Sequence, residues 1–114
     1  MEPDPLVPLP PPVFHILIAL AEGERHGYAI MQDVAERSGG RLRMSPGTLY
    51  GSIKRMAEQG LIEEVWPRAA APDEERRRYY RLTRLGRRTA EAEAARLSDL
   101  LKQARAHGLV PSRG

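Results

Sequence analysis

Ser45-Pro46-Gly47-Thr48-Leu49-Tyr50-Gly51-Ser52-Ile53-Lys54-Arg55 is the stretch whose reading decides the fold. Ser45 suits an N-cap, because its hydroxyl can accept from an unpaired amide of the first helical turn. Pro46 then falls at the first helical position, where a missing N–H costs nothing. A helix is therefore predicted to start at Pro46. Leu49, Ile53, Met56 and Ala57 recur at the three-and-four spacing of one buried face. Thr48, Tyr50, Gly51, Lys54 and Arg55 are left pointing outward. Gly47 and Gly51 each cost about 1 kcal/mol relative to Ala in a helix. Such a helix is either a weakly formed surface element or one shaped for close approach to a phosphate backbone, and alone it does not separate the two.

The flanking charges tip the balance. Four cationic side chains and no acid lie between Arg41 and Arg55, and seven cationic side chains and no acid lie between Arg76 and Arg88. The acids gather in Glu22 to Glu36, in Glu63 and Glu64, and in Glu91 to Asp99. A net charge of +3 is mild, as is a pI near 9.7. The segregation is not mild, and a basic face is the electrostatic footprint of nucleic-acid binding.

With 114 residues the chain has room for one small domain. Aromatic residues make up 5%, so the core must be aliphatic and a second copy would help to complete it. The absence of cysteine removes disulfides, thiolate metal sites and cysteine nucleophiles. No apolar run approaches the roughly 20 residues that cross a bilayer, and the acidic start Met1-Glu2-Pro3-Asp4-Pro5 is unlike a basic signal peptide. A cytoplasmic protein without a membrane partner is expected. His15, His26 and His107 are scattered, without the spacing of a metal site. No nucleophile triad, phosphate loop or carboxylate pair appears, so no enzyme, cofactor or metal is expected.

Outward from the decisive helix, residues 1–11 form a Pro-rich arm, read as extended or disordered. Val13 to Glu22 is apolar on almost every side and predicts a first helix buried on more than one face, ended by Gly23. A second helix starts at His26-Gly27-Tyr28 and stops at Ser38-Gly39-Gly40. Arg41-Leu42-Arg43-Met44 alternates and suggests a short strand. Leu61 to Trp66 and Arg76 to Leu82 make a hairpin around a Pro, Ala and acid-rich tip. Within it, Tyr80 and Leu82 share one face and Tyr79 and Arg81 the other, so one Tyr packs. Thr83 caps a last helix from about Arg84 to Ala106, whose stripe of Leu85, Leu97, Leu100, Leu101 and Ala104 is too long for one small domain to cover. The fold class is thus mainly α with a small antiparallel β-hairpin: a winged helix-turn-helix over residues 12–82, a C-terminal dimerisation helix over 83–107, and a flexible tail over 108–114.

Several motifs in order carry a more specific likeness. Phe14-His15-Ile16-Leu17, Gly23-Glu24-Arg25-His26-Gly27-Tyr28, Pro46-Gly47-Thr48-Leu49-Tyr50, Gly60-Leu61-Ile62-Glu63, and Arg77-Arg78-Tyr79-Tyr80-Arg81-Leu82-Thr83 with Gly86 together resemble the PadR family of bacterial transcriptional regulators. The likeness runs from about Pro12 to Arg105. It implies a homodimeric repressor of the short subgroup with a single C-terminal dimerisation helix, and in some members a small phenolic or drug-like inducer.

The expected partners are therefore double-stranded DNA, a second copy, and a small aromatic inducer. Lys54 and Arg55 are the candidates for base-edge or phosphate contact, Thr48 and Tyr50 for phosphate positioning, and Ser45, Pro46, Gly47 and Gly51 for backbone approach at the helix start. Tyr28 either grips phosphate or packs in the core. Arg76, Arg77 and Arg78 flank the wing and are expected on the DNA backbone. The dimer interface is expected at Phe14, Leu17, Leu97, Leu100, Leu101 and Ala104. The last helix lacks the aromatics that line a planar-drug pocket, so an inducer, where there is one, would sit between the first helix and the partner's last helix, with Phe14 and Trp66 as walls. Two other readings compete: a winged-helix module that docks on protein, and a nonspecific DNA binder.

Overall fold

The computed structural model describes residues 6–65 and 78–110. Trp66, Arg76 and Arg77 therefore lie outside the described residues. Four helices and three short strands follow in the order α1 (Pro11–Leu20), β1 (Arg25–His26), α2 (Gly27–Arg37), α3 (Pro46–Glu58), β2 (Ile62–Val65), β3 (Tyr79–Leu82) and α4 (Arg84–Ala106). None of these helices is long and apolar enough to cross a membrane.

The three central helix starts have the caps their residues call for. Ser45 Oγ accepts from the Thr48 amide at 3.1 Å, His26 Nδ1 from the Ala29 amide at 3.1 Å, and Thr83 Oγ1 from the Gly86 amide at 3.0 Å. α3 closes with a paired set of C-terminal hydrogen bonds, Gly60 N–H to Ala57 O and Leu61 N–H to Met56 O. Thr83 also ties the end of α3 to the start of α4, since its hydroxyl donates to Gly60 O and its amide to Leu61 O. Gly86 sits so close to Leu61 O that a methyl there would overlap the carbonyl, which is how α4 seats against the base of β2.

The sheet departs from the expected two strands. β3 lies in the middle, antiparallel to β2 with Ile62 opposite Leu82 and Val65 opposite Tyr79, and antiparallel to β1 with Arg25 opposite Tyr80. The strand expected at Arg41 to Met44 does not form. The Leu42 amide donates to Ser38 Oγ at 2.9 Å, and Leu42 and Met44 turn toward the core, so the alternation there anchors a loop rather than a ladder. β1 takes the second edge of β3 with two residues, too few to leave a periodic signal.

The core gathers Ile16, Leu17 and Leu20 of α1, Ile30 and Val34 of α2, Leu49, Ile53 and Met56 of α3, Leu61 and Ile62 at β2, and Tyr80 of β3. Three expectations change here. Leu17 has no exposed surface, because α1 turns it inward beside Ile16 and Leu20, so it packs in the core of the single chain where a dimer contact was expected. On α3, Ser52 rather than Ala57 completes the buried face, being 4% exposed. From Leu6 onward the arm is docked rather than disordered: Leu9 is buried and its amide donates to Glu93 Oε2 at 3.3 Å. Glu93, within the acid-rich run from Glu91 to Asp99, is buried on α4 and holds Arg96 through two hydrogen bonds of 2.8 and 2.9 Å.

Candidate nucleic-acid interface

α3 presents two chemically distinct faces. Leu49, Ile53 and Met56 are buried, while Pro46, Gly47, Thr48, Tyr50, Gly51, Lys54 and Arg55 are exposed, together with the cap Ser45. Lys54 and Arg55 have no ion-pair partner among the described residues, so their charge is available to an outside anion. A methyl on Gly51 would meet nothing within 4 Å, and one on Gly47 would only just reach Ser45 Oγ at 4.0 Å. Neither glycine is required by packing within the chain; both leave open backbone on the outer face.

Tyr28 at the start of α2 is 57% exposed, which decides its open reading against core packing. Tyr50 is 47% exposed and leans across Gly27 so closely that Gly27 has no room for a Cβ. Tyr50 of α3 thus rests against the first residue of α2, next in sequence to the exposed Tyr28. His26 caps α2 and meets the Tyr79 ring edge-on at 5.4 Å, which makes it a structural residue.

The wing differs from its sequence reading. Antiparallel pairing sets Glu63 opposite Arg81 and Glu64 opposite Tyr80, and the acids neutralise the strand that the charge count scored as basic. Arg81 binds Glu63 at 2.6 Å and approaches Glu24 at 4.0 Å, and Arg78 lies 3.5 Å from Glu64. Arg78 is nonetheless exposed at the start of β3. A count of charge by segment misses this because the neutralising acids sit one strand away.

Beyond Arg96, α4 leaves the domain. Leu97, Leu100 and Leu101 are 38%, 52% and 43% exposed, and Ala104 is half-buried. Phe14, Leu17 and Ile18 of α1, Ala21 just past its end, Leu82 of β3, and Ala90 and Ala94 of α4 line a mainly apolar cleft of about 210 Å³, with Arg87 and Glu91 also in its lining. Sequence reasoning put Phe14 at this place, but missed that the chain's own α4 forms the opposite wall.

The helical trio, the outward third helix and the small sheet define a winged helix-turn-helix protein. Residues 16–92 match the Transcriptional regulator PadR-like family, and the chain belongs to that family of transcriptional regulators, which are not enzymes. It is similar to Transcriptional regulator Rv3488 of Mycobacterium tuberculosis (strain ATCC 25618 / H37Rv), with 32% identity over 89 residues that cover 78% of each chain. Among solved structures, a PadR family transcription regulator from Clostridium difficile R20291 superposes with a TM-score of 0.73 at 26% identity, over 84% of this chain and 96% of that one. Bacillus subtilis PadR, solved in complex with operator DNA, shares the fold with a TM-score of 0.63 at 24% identity, over 75% of this chain and 46% of that one.

Proposed function

We propose that this chain is a homodimeric repressor that occludes a near-palindromic operator. Each α3 enters a major groove, and two-fold symmetry sets the pair of them roughly 34 Å apart. In this reading residues 12–82 bind DNA and residues 83–107 hold the dimer together. The observation that carries it is the outer face of α3, where Lys54 and Arg55 stand exposed and unpaired beside Thr48 and Tyr50 and the one acid, Glu58, falls at the far end of the helix. Bacillus subtilis PadR, with the same fold, binds operator DNA.

The exposed stripe of Leu97, Leu100 and Leu101 supports the dimer, since apolar surface of this kind on a helix end calls for cover. In this reading the cleft at Phe14 and Ala90 would seat the partner's stripe, and an inducer would bind there between α1 and the partner's last helix. Fluorescence anisotropy with genomic fragments selected on the protein tests the reading. A specific repressor gives steep salt dependence and a sequence preference that survives competitor DNA. Loss of the preference under competitor leaves a nonspecific binder, and absence of both leaves a protein-docking module.

A further inference from the structure

α4 is tied to the rest of the chain at two points set well apart. The first is its cap, where the Thr83 hydroxyl and amide hold Gly60 O and Leu61 O at the end of α3. The second is Glu93, about 15 Å further along the helix. Glu93 is 2% exposed, and its Oε2 accepts from the Leu9 amide at 3.3 Å. Leu9 in turn lies against α3: with Leu6 it shares a cleft with Ser52, Arg55 and Gln59. The arm therefore stands between α3 and α4, with one side on each.

A buried carboxylate is a poor choice for adhesion alone. A leucine at position 93 would grip the apolar arm as well or better, since a buried ion pair is often no more stabilising than packed hydrocarbon. What the carboxylate adds is placement. It accepts from one amide in one direction, while Arg96 holds both of its oxygens at 2.8 and 2.9 Å. α1 also packs on α4, yet Thr89, one turn before Glu93, is buried with its hydroxyl unpartnered among the described residues, so this part of the helix is held at a cost. Placement matters because α4 is a lever. A swing of about 10° about the Thr83 joint would carry Leu97, roughly 21 Å along the helix, through about 4 Å, close to the rise of about 3.4 Å per base pair.

We propose that the arm from Leu6 to Pro10 is a brace between α3 and α4, and that Leu9 and Glu93 are positioning residues that fix the angle of α4 and with it the half-site spacing the dimer accepts. The spacing rests on the repressor reading; the brace does not. Held at two points, α4 presents its stripe to the second copy at one angle, so the two α3 helices stand at one separation. Released at Glu93, it hinges at Thr83 and the separation spreads.

Two measurements on the full chain test this. The chain has no cysteine, so Ala57→Cys on α3 and Gln103→Cys on α4 accept a pair of spin labels, and dilution with unlabelled protein isolates the distance within one chain. One narrow distance is expected in the parent. Glu93→Leu, which keeps the volume and removes the acceptor, should broaden it. Leu9→Pro, which removes the N–H, should broaden it more than Leu9→Ala, which keeps it, and this pair decides if Glu93→Leu fails to fold. An unchanged distribution in folded Glu93→Leu, or equal effects of Leu9→Pro and Leu9→Ala, would overturn the brace. The second measurement is anisotropy on the operator and on versions with one base pair added or removed at its centre. The change should cost the parent about tenfold or more and cost Glu93→Leu at least about fivefold less, whereas a merely structural role would weaken all operators alike. An equal spacing penalty in parent and variant overturns the link to spacing. Absence of operator binding by the parent sinks the repressor reading and leaves the brace to be judged by the distances.

Discussion

Tyr50 lies across the backbone of Gly27 so closely that a methyl group added to Gly27 would overlap the phenol ring and its hydroxyl. The contact joins the first turn of α2 to the outer face of α3, and so fixes how the two helix starts stand relative to each other. Gly27→Ala should therefore push the exposed tip of Tyr50 aside, at a cost of less than about 1 kcal/mol because the displaced atoms are the far end of a half-exposed side chain. In a Tyr50→Ala background the space is free, and the same change should stabilise by about 0.4 to 1 kcal/mol. Urea denaturation of the four proteins of this cycle measures the coupling. Equal costs in both backgrounds would show that Tyr50 does not rest on Gly27 in solution.

The unpaired cations of α3 and the paired Arg78 of the wing should respond differently to removal. Lys54→Ala and Arg55→Ala are each expected to weaken operator binding by about 1 to 3 kcal/mol where they read a base, or to lower the salt slope by about one where they hold phosphate. Arg78 spends part of its charge on Glu64 at 3.5 Å, so Arg78→Ala should cost less than either. Anisotropy over a series of salt concentrations separates the cases. Unchanged affinity in both α3 variants would place the recognition surface elsewhere.

Glu93 is held below the usual carboxylate range, first by the hydrogen bonds from Arg96 and then by the Leu9 amide, against the opposing effect of burial. A carboxylate whose folded pKa is depressed contributes stability above its unfolded pKa, near 4.5, and loses it as pH falls through the folded value. Glu93→Gln should accordingly be less stable than the parent at neutral pH, with the gap closing as pH falls from the unfolded value near 4.5 through the lower folded one. Thermal melts across pH measure this, and amide exchange at Leu9 reports whether the arm loosens with the loss. A constant gap at every pH would mean that packing, not charge, accounts for the cost.

Much of this architecture was legible in the residues. Ser45 before Pro46 and Thr83 before Arg84 marked helix starts where they occur, because a capping hydroxyl acts locally. The outward set on α3 followed from the same periodicity. What the sequence hid was non-local. Two residues of β1 have no pattern of their own and exist as a strand because β3 has a free edge. Glu63 and Glu64 silence Arg81 and Arg78 only once pairing sets them side by side. Leu17 and Phe14 look alike in an all-apolar helix, and tertiary packing alone decides that one is sealed and the other half-exposed. Glu93 reads as a surface acid until the arm folds over it.

The free half of α4 carries the strongest expectation about assembly. At about 1.5 Å per residue, the helix from Arg84 to Ala106 is roughly 34 Å long, and its buried residues, Gly86, Thr89 and Glu93, all fall in its first half. Leu97, Leu100 and Leu101 then face solvent in the single chain, and in the proposed dimer they would seat in the partner's cleft at Phe14 and Ala90. Leu97→Asp places a charge in the middle of that contact and should shift the protein to monomer in sedimentation equilibrium. Ala95→Asp, exposed on the opposite side of the helix, should leave the dimer intact. Because a monomer reaches one half-site, Leu97→Asp should also lose most of the operator affinity, and its salt slope should fall to roughly half as phosphate contacts are lost. A Leu97→Asp protein that remains dimeric moves the interface off this stripe; one that is monomeric yet binds as tightly as the parent removes the two-half-site mechanism.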